Sequence, residues 1–355
     1  MSKPTVIDLF AGVGGLSLGF EMAGFEVALA NEYDPSIAEA YVKNRPNANM
    51  IVADITELSV DETFGPYEGK ITAVIGGPPC QGFSQKGKRK SINDPRNYLF
   101  RHYYEVVKRV KPKYFVIENV PNLLTTENGL FRDEIVELFD GIGYAVSCGV
   151  LSAADFGVPQ DRRRTCIIGK MGTAKPVSLP EPNGAHTTVW DAISDLSYLE
   201  SGEGAEEQGY RNGPMSSYQQ LMRADSDELF NHIATRHSKL TLERLKMIAP
   251  ERGKEMLPEK HHTKSIYSGT WCRMKKDGIA KTITTRYDTP SSGEFTHPYL
   301  DRAITTREAA RIQSFPDTFH FYGSKSSQMK QVGNAVPPLL GKAIAERLLD
   351  DMKSE

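Results

Sequence analysis

A Gly-rich turn or a polar or reactive side chain follows each of four predicted strands of the sequence, at the point where the strand ends. A Gly-rich turn, DLFAGVGGLSLGF (8–20), follows the first strand, and Glu32 and Asp54 end the second and third. Cys80 follows the fourth strand within the constrained turn GGPPCQGFS (76–84). Because the carboxyl ends of parallel strands meet at one edge of a sheet, these groups are predicted to converge on one pocket. Carboxylates there can accept hydrogen bonds from a ligand, and a cysteine thiolate can act as a nucleophile.

The Gly-rich turn and Glu32 favour a nucleoside ligand without phosphates. Glu32 follows Gly12 by 20 residues, a spacing at which an acid can bind ribose hydroxyls. The dinucleotide fingerprint needs Gly or Ala at position 17, where this chain has Ser17. Asp54, with Ile55 behind it, can accept a hydrogen bond from an adenine ring and help to sandwich it, although Asp54 alone is more typical of a helix cap or turn.

The first 170 residues alternate short apolar strands with amphipathic helices, which indicates a mostly parallel sheet covered on both faces. Strands are predicted at Thr5–Phe10, Phe25–Ala30, Asn49–Val52, Ile71–Ile75, Tyr114–Ile117, Tyr144–Val150 and Thr165–Gly169. Helices are predicted at Gly14–Ala23, Pro35–Asn44, Tyr98–Val110 and Leu130–Phe139. The predicted fold class is therefore α/β, with a doubly wound sheet.

The alternation stops after Gly169, and the middle of the chain is predicted to form a second, smaller domain. We predict a first domain over 1–170, a second over 171–305, and a return to the first domain over 306–355. Later helices are predicted at Lys239–Ile248, at Thr305–Gln313 with Thr306 as the N-cap, and at Pro338–Met352.

Charge is distributed unevenly along the 355 residues, although the formal net charge is only −2. The stretch 176–210 contains seven acids and no Lys or Arg, whereas 236–286 contains 13 Lys and Arg against five acids, a balance of +8. The basic segment could meet an anionic partner or simply be a solvated surface, and charge alone leaves both readings open.

The composition excludes several classes of protein. The N-terminus enters an apparent strand at once, and no apolar stretch approaches the roughly 20 residues that span a bilayer, so a cytoplasmic or nuclear protein is expected. The four cysteines are scattered without a C-x-x-C pair, which argues against a disulfide framework or a zinc site. Cys148 and Cys166 lie in strand-like runs and are predicted to be small buried hydrophobes.

Several ordered motifs resemble those of the cytosine-5 DNA methyltransferase family. The Gly-rich turn resembles the family's cofactor turn, and GGPPCQGFS resembles its catalytic proline–cysteine loop. ENV (118–120) and QDRRR (160–164) resemble the family's glutamate and Q-x-R-x-R motifs. REAARIQSFPD (307–317) and QVGNAVPP (331–338) resemble the closing motifs, and DPRNYLF (94–100) resembles the segment between the cysteine and the glutamate. The resemblance spans nearly the whole chain outside its middle.

The resemblance implies a Rossmann-like methyltransferase sheet with a second, smaller target-recognition domain. It implies methyl transfer from S-adenosyl-L-methionine to carbon 5 of a flipped-out cytosine in a specific sequence of double-stranded DNA. Cys80 would add to carbon 6 of the ring, and Glu118 would hold ring nitrogen 3 and the exocyclic amine. Arg164, supported by Arg162, would hold the cytosine carbonyl and orient Glu118. The base that removes the carbon-5 proton stays open between a side chain and bound water.

The resemblance also implies further site residues, and no metal. Tyr33 departs from the family, which often carries another aromatic or an aliphatic residue there, although stacking on adenine stays open. Thr282, with Ile283, resembles a Thr-aliphatic pair that backs the flipped nucleotide. The implied cofactor-binding residues are Phe10, Ala11, Gly12, Gly14, Gly15, Leu16, Glu32, Tyr33, Asp54, Ile55, Pro78, Leu99, Asn334 and Val336. The implied DNA-binding residues are Gln81, Ser84, Lys86, Arg89 and Thr282.

Three alternative functions remain. A tRNA cytosine-5 methyltransferase shares the motifs. Intact Cys80, Glu118 and Arg164 argue against a catalytically inactive DNA-binding relative, and Ser17 together with GGPPCQGFS argues against a nicotinamide oxidoreductase. A monomer is expected, because one active site can treat the two strands of a target in turn. Pairing with a restriction endonuclease depends on genomic neighbours and stays open.

Overall fold

Short runs rich in Val, Ile, Phe and Tyr form most strands of the main sheet, because branched and aromatic side chains pack well on a pleated surface. The computed structural model describes residues 3–79, 99–263 and 268–354. In chain order the strands are β1 Thr5–Leu9, β2 Glu26–Glu32, β3 Met50–Val52, β4 Ala73–Gly76, β5 Tyr114–Asn119, β6 Tyr144–Ser152, β7 Gln160–Asp161, β8 Arg163–Met171, β9 Gly204–Gln208, β10 Leu229–Ile233 and β11 Ala280–Lys281.

Many of the helices begin directly after a residue whose side chain caps the first turn. Asp34, Ser59, Thr188, Ser216, Ser238, Thr305 and Ser324 each accept a hydrogen bond from a backbone N–H of the first turn. In chain order the helices are α1 Gly15–Met22, α2 Pro35–Asn44, α3 Val60–Phe64, α4 Leu99–Val110, α5 Leu130–Asp140, α6 Val189–Ile193, α7 Ser217–Met222, α8 Lys239–Lys246, α9 Thr306–Ile312, α10 Lys325–Asn334 and α11 Pro338–Lys353.

Within the residues that the structure describes, the first of two units contains a seven-stranded sheet in the order β3-β2-β1-β4-β5-β8-β6. This unit comprises Met1–Ser152, Arg163–Pro182 and Pro338–Glu355. The pairs among β1 to β5 are parallel, whereas β8 runs antiparallel to both β5 and β6. The predicted mostly parallel sheet is therefore confirmed, and the reversed direction of β8 was not anticipated.

Helices cover both faces of this sheet, which makes it doubly wound as predicted. Ile7 and Leu9 of β1 belong to an apolar cluster that contains buried side chains of α4 and α5. Asp8 points to the opposite face, where its carboxyl accepts a hydrogen bond from Ser17 of α1. The last helix, α11, packs against α1 within the same unit.

The second unit comprises Ala153–Arg162 and Asn183–Pro337, and its core contains buried ion pairs on α9. Arg302 binds Glu308 through two hydrogen bonds of 2.7 Å. Arg311 binds Asp317 at 2.6 Å and Asp195 at 2.9 Å, and all of these side chains are buried. Such pairs hold α9 within the second unit, because breaking a buried pair leaves an uncompensated charge.

Two expectations concern the start of α9 and the division of the chain into domains. Thr306 is not the cap of α9: Thr305 has an extended backbone, and its hydroxyl accepts from the N–H of Glu308 at 3.1 Å. The compact units change at residues 153, 163, 183 and 338, and they place 306–337 in the second unit. The divisions at 171 and 306 describe functional regions and stay predictions.

Within the described residues, no helix is both long enough and apolar enough to cross a membrane.

Candidate active site

An ion pair at the carboxyl end of β5 forms the centre of the candidate active site. The Nε of Arg164 lies 2.8 Å from Oε1 of Glu118, and the two side chains are only 15% and 12% exposed. Partial burial strengthens such a pair, because water screens it less than it screens a pair on the open surface. The pair therefore holds the Glu118 carboxylate in one orientation while leaving it partly accessible.

The antiparallel direction of β8 explains why these two residues meet. In the ladder Glu118 lies opposite Cys166, so the start of β8 lies at the sheet edge where the parallel strands end. Arg164 is two residues from Cys166 and projects from the same face, which places it diagonally across from Glu118. A parallel strand would have carried Arg164 to the other edge of the sheet.

The turn that leads towards Cys80 runs beside Glu118. A Cβ placed on Gly77 would lie 3.0 Å from Oε2 of Glu118, so a larger residue there would press on the carboxylate. The Nδ2 of Asn119 donates a 2.7 Å hydrogen bond to the carbonyl oxygen of Pro78. Glu118 and Asn119 thus contact the turn from neighbouring positions of one strand end, and Pro78, a predicted cofactor-binding residue, is buried there.

The predicted nucleophile Cys80 lies outside the described residues, as do Gln81, Ser84, Lys86 and Arg89. Among the described cysteines, Cys166 is 1% exposed, as predicted, and burial raises the pKa of its thiol. Burial also raises the pKa of Cys272, and the Glu294 carboxylate adds to this effect. Cys148 is only partly buried and packs against the apolar cluster of the first unit. A raised pKa disfavours the reactive thiolate, so Cys166 and Cys272 are poor nucleophiles.

The Gly-rich turn and Glu32 form a second group at the same sheet edge. The two carboxylate oxygens of Glu32 accept 2.9 Å hydrogen bonds from the backbone N–H groups of Gly12 and Asp34. Burial raises the pKa of Glu32, and the backbone hydrogen bonds oppose that shift. Gly14 has φ of 87°, and a Cβ there would lie 2.6 Å from the Tyr41 ring, so only glycine fits. Through its hydrogen bond with the N–H of Gly12, the Glu32 side chain holds the backbone of the Gly-rich turn in place.

Asp54 caps a short 3-10 turn, Ile55–Glu57, which is the role that an aspartate at such a position typically has. Its Oδ1 accepts from both the N–H and the hydroxyl of Thr56, at 3.0 and 2.9 Å. Ile55 is buried directly behind it. The amide of Asn31, a residue that sequence reasoning missed, donates to the carbonyl oxygens of Ile51 and Ala53 at 3.1 and 3.0 Å. Asn31 thereby ties the end of β3, and so Asp54, to β2.

The other predicted cofactor-binding residues lie in both units. Tyr33 is 70% exposed at the end of β2, and Leu16 is 5% exposed in α1. Phe10 has a left-handed backbone, with φ of 57°, as the chain leaves β1. In the first unit, Ala11 is partly buried in the turn, Gly15 begins α1, and Leu99 begins α4. In the second unit, Asn334 is exposed at the end of α10 and Val336 is 8% exposed.

Two predicted residues of the Q-x-R-x-R and Thr-rich segments, Arg162 and Thr282, form hydrogen bonds inside the second unit. The guanidinium of Arg162 donates to the carbonyl oxygens of Ile283 and Gly333 at 3.1 and 3.0 Å. Thr282 donates its hydroxyl to the carbonyl oxygen of Asp161 at 2.6 Å. Gln160, which sequence reasoning did not single out, accepts from the N–H of Ile283 at 2.9 Å. The support of Arg164 by Arg162 stays a prediction.

A buried carboxyl lies beneath the Gly-rich turn. Asp8 is 1% exposed and accepts from the Ser17 hydroxyl at 2.5 Å, and Ser17 also lies 2.9 Å from the Tyr41 hydroxyl. Burial raises the pKa of Asp8 from 3.8 to about 7. In the sequence, Ser17 served only as an argument against a dinucleotide ligand. In the structure its hydroxyl donates a hydrogen bond to this buried carboxyl.

The buried Asp8 carboxyl predicts a pH-dependent stability. Folded Asp8 keeps its proton up to about pH 7, whereas the unfolded carboxyl loses it near 3.8, so the free energy of unfolding falls as pH rises between these values. Asp8→Asn cannot titrate. Its stability relative to the wild type should rise by up to about 1.4 kcal/mol per pH unit from pH 5 to 7. Urea unfolding of both proteins at each pH measures this difference. If the free energy of unfolding depends on pH in the same way in both proteins, the raised pKa of Asp8 is contradicted.

Residues 4–350 match the family model of C-5 cytosine-specific DNA methylases. The type II methyltransferase M.DdeI of Desulfomicrobium norvegicum is 38% identical, and the alignment covers 97% of this chain and 88% of that protein. The type II methyltransferase M1.HphI of Haemophilus parahaemolyticus is 40% identical, with 97% of this chain and 86% of that protein covered.

Solved structures with the same fold include a prophage-encoded E. coli protein assigned as a DNA modification methyltransferase. It is 28% identical, with a TM-score of 0.81, and the match covers 99% of this chain and 100% of that protein. The Entamoeba histolytica methyltransferase EhMeth matches with a TM-score of 0.62 at 17% identity, over 99% of each chain. At that identity the second likeness concerns the fold alone.

Proposed function

Because the chain belongs to the C-5 cytosine-specific DNA methylase family, and is thus a DNA (cytosine-5) methyltransferase with a Rossmann-like sheet, we propose where its cofactor and target cytosine bind. The target cytosine meets the Glu118–Arg164 pair, and S-adenosyl-L-methionine binds between the Gly-rich turn, Glu32 and Asp54. The observation that carries the first assignment is the 2.8 Å ion pair of Glu118 and Arg164, which lies beside the turn that leads to Cys80.

The chemistry requires groups of these kinds at one place. Carbon 5 of cytosine is a poor nucleophile because its electrons belong to an aromatic ring. Addition of the Cys80 thiolate to carbon 6 breaks that aromaticity and makes carbon 5 enamine-like. Glu118 would hold ring nitrogen 3 and the exocyclic amine through a protonated or shared-proton carboxyl, and Arg164 would bind the carbonyl oxygen. Carbon 5 then gains the methyl group, and a base takes its proton, so that the Cys80 thiolate is expelled and the aromatic ring is restored.

The residues at the Gly-rich turn fit S-adenosyl-L-methionine. Apart from Gly12 itself and its two chain neighbours, no described heavy atom lies within 4 Å of the position that a Cβ on Gly12 would take, so a ligand can approach the backbone there. An ionised carboxylate has about four acceptor sites, and the described bonds to Gly12 and Asp34 occupy one per oxygen of Glu32. Asp54 uses only Oδ1 in its described bonds, which leaves Oδ2 for the adenine amine. When bound, the cofactor supplies the methyl group from its sulfonium.

Cofactor affinity should fall when either acid is removed. We expect Glu32→Ala and Asp54→Ala each to weaken S-adenosyl-L-methionine binding by roughly 1.5–3 kcal/mol, the range for a hydrogen bond to a charged group. Isothermal titration calorimetry measures this. DNA affinity without cofactor should change little, and Glu57→Ala, which removes an acid from the same 3-10 turn, is the matched control. Equal losses of cofactor and DNA affinity would instead indicate a folding defect.

Target choice is assigned to the segment 171–305, since the motif-bearing segments on either side account for the cofactor and base-holding groups. This segment contains the basic stretch 236–286, whose positive balance suits contact with phosphates. Exchanging 171–305 for the matching segment of a relative with a known target should transfer that target while methylation is retained. Bisulfite sequencing of DNA from cells that express the chimera measures this. Methylation of the original target would show that recognition lies elsewhere.

The partner of the enzyme is proposed to be double-stranded DNA with the target cytosine flipped out, because a base inside a duplex cannot reach such a site. The relatives M.DdeI and M1.HphI are type II methyltransferases, and we infer that a restriction endonuclease of the same target accompanies this chain. The enzyme is expected to act as a monomer in the cytoplasm.

The proposed substrate is tested by following a labelled methyl group. Purified protein is incubated with tritiated S-adenosyl-L-methionine and either duplex DNA or tRNA, and the nucleosides are separated after digestion. Label in 5-methyldeoxycytidine is the expected result. Label in tRNA alone would favour the tRNA methyltransferase reading, and label in neither would favour an inactive DNA-binding relative.

A further inference from the structure

The side chain of Asn119 connects the end of β5 to the turn before Cys80. Asn119 is 6% exposed, and its Nδ2 donates to the carbonyl oxygen of Pro78 at 2.7 Å. Its Oδ1 accepts from the N–H of Val120 at 2.8 Å. Both ends of the amide therefore form hydrogen bonds, one with the turn and one with Val120, the residue that directly follows β5.

The Asn119 amide gives the carbonyl oxygen of Pro78 a hydrogen bond that the backbone of the sheet does not supply. The ladder between β4 and β5 ends at the pair of Gly76 and Ile117, so Pro78 lies beyond it. A buried carbonyl oxygen without a partner is costly, and the donor that Asn119 supplies therefore selects the path of the turn. Pro78 precedes Cys80 by two residues. The bond acts on the chain just before the proposed nucleophile.

Successive residues of one strand end serve the two sides of the site. Glu118 and Asn119 point to opposite faces of β5, as neighbouring residues in a strand must. Glu118 binds Arg164 on one face, whereas Asn119 holds Pro78 on the other. Loss of either contact would therefore change the distance between the Glu118 carboxylate and the Gly77–Pro78 turn.

We infer that Asn119 is a positioning residue for the proposed nucleophile: through Pro78 it sets the distance between the Gly77–Pro78 turn and Glu118. The inference rests on the proposed roles of Cys80 and Glu118. Asn119 does not contact the reacting atoms, so its loss should slow the covalent step and leave the binding of both substrates nearly unchanged.

The test compares Asn119→Asp with the wild type. Aspartate keeps an acceptor for the N–H of Val120 but places an oxygen where the amide donated to Pro78, so it removes that bond selectively. Single-turnover methyl transfer and the rate of adduct formation with 5-fluorocytosine DNA should each fall by about 100-fold, the scale of a misplacement near 1 Å. The Kd for cofactor and the KM for DNA should stay within about threefold.

Two controls separate positioning from folding. Thr165→Val removes the 3.1 Å bond from the Thr165 hydroxyl to the carbonyl oxygen of Val120, at the same strand end but away from Pro78, and should keep the rate within about threefold. Asn31→Asp makes the same chemical change at the end of β2, where the amide donates to Ile51 and Ala53. It should weaken cofactor binding, and it should spare the single-turnover rate at saturating cofactor.

The outcomes distinguish the inference from the function on which it rests. If wild-type protein forms an adduct and Asn119→Asp forms it equally fast, Asn119 has no positioning role. An equal loss of rate and of cofactor affinity would show a structural role only. If Asn119→Asp does not fold, Asn119→Ala, which leaves no unpaired carboxylate, is measured in the same way. No adduct with the wild type would contradict the proposed function itself, and with it the inference.

Discussion

Replacing Cys80 by serine is expected to abolish methyl transfer while cofactor binding stays nearly unchanged. The proposed mechanism needs a thiolate to add to carbon 6 of cytosine, and a serine hydroxyl is a far weaker nucleophile at neutral pH. Loss of a covalent nucleophile costs orders of magnitude in rate, so kcat should fall by more than about 10⁴-fold. Steady-state kinetics with labelled cofactor and calorimetric cofactor binding measure the two effects.

Cys148→Ser is the matched control for this variant. Cys148 lies in β6 of the same unit and is partly buried, so the same chemical change is made in a strand rather than at the proposed site. The control should retain most of the activity. Substantial methylation by Cys80→Ser would contradict covalent catalysis, and loss of cofactor binding by that variant would point to misfolding instead.

Replacing Glu118 by glutamine should lower kcat by about 10²–10³-fold, the scale for removing one group that stabilises developing charge. Glutamine keeps the shape of the side chain, but it cannot form the ion pair with Arg164 or supply a shared proton to ring nitrogen 3. The same loss is expected for Arg164→Lys, because lysine lacks the planar guanidinium donors that can bind a carboxylate and a carbonyl together. Single-turnover rates at saturating DNA and cofactor isolate the effect.

Glu134→Gln is the control for Glu118→Gln. Glu134 forms an ion pair with Arg101 between helices α5 and α4 of the same unit, and Arg101 is more than half exposed. Such pairs contribute at most about 1 kcal/mol to stability, so the control should be active. Wild-type rates for Glu118→Gln would mean that another group holds the base.

Much of the first unit could be predicted from the sequence because its information is local. Apolar runs and their turns located every strand of the main sheet, and a polar residue at a strand end, such as Glu32 or Glu118, can be read directly. The direction of β8 could not be predicted, since the pattern of apolar and polar side chains along a strand does not show whether it runs parallel or antiparallel to its neighbours. The proximity of Arg164 to Glu118 was therefore expected from the family resemblance and not from the pattern.

Contacts between residues distant in sequence were the main features that sequence reasoning missed. The bond from Asn119 to Pro78 joins residues 41 positions apart, and the pair of Arg311 and Asp195 joins residues 116 apart. Ser17 was considered only as a position of a fingerprint, whereas in the structure it binds the buried Asp8. Short elements such as α6, α7 and β7 have too few residues to show a period.

The most direct test of the proposed site is covalent trapping with DNA that contains 5-fluorocytosine. Fluorine at carbon 5 cannot leave as a proton does, so the enzyme should stay attached to the base after methyl transfer. Mass spectrometry of the digested complex should locate the modified base on the peptide that contains Cys80. Attachment to Cys148, Cys166 or Cys272, or turnover of this DNA without any adduct, would contradict the proposed mechanism.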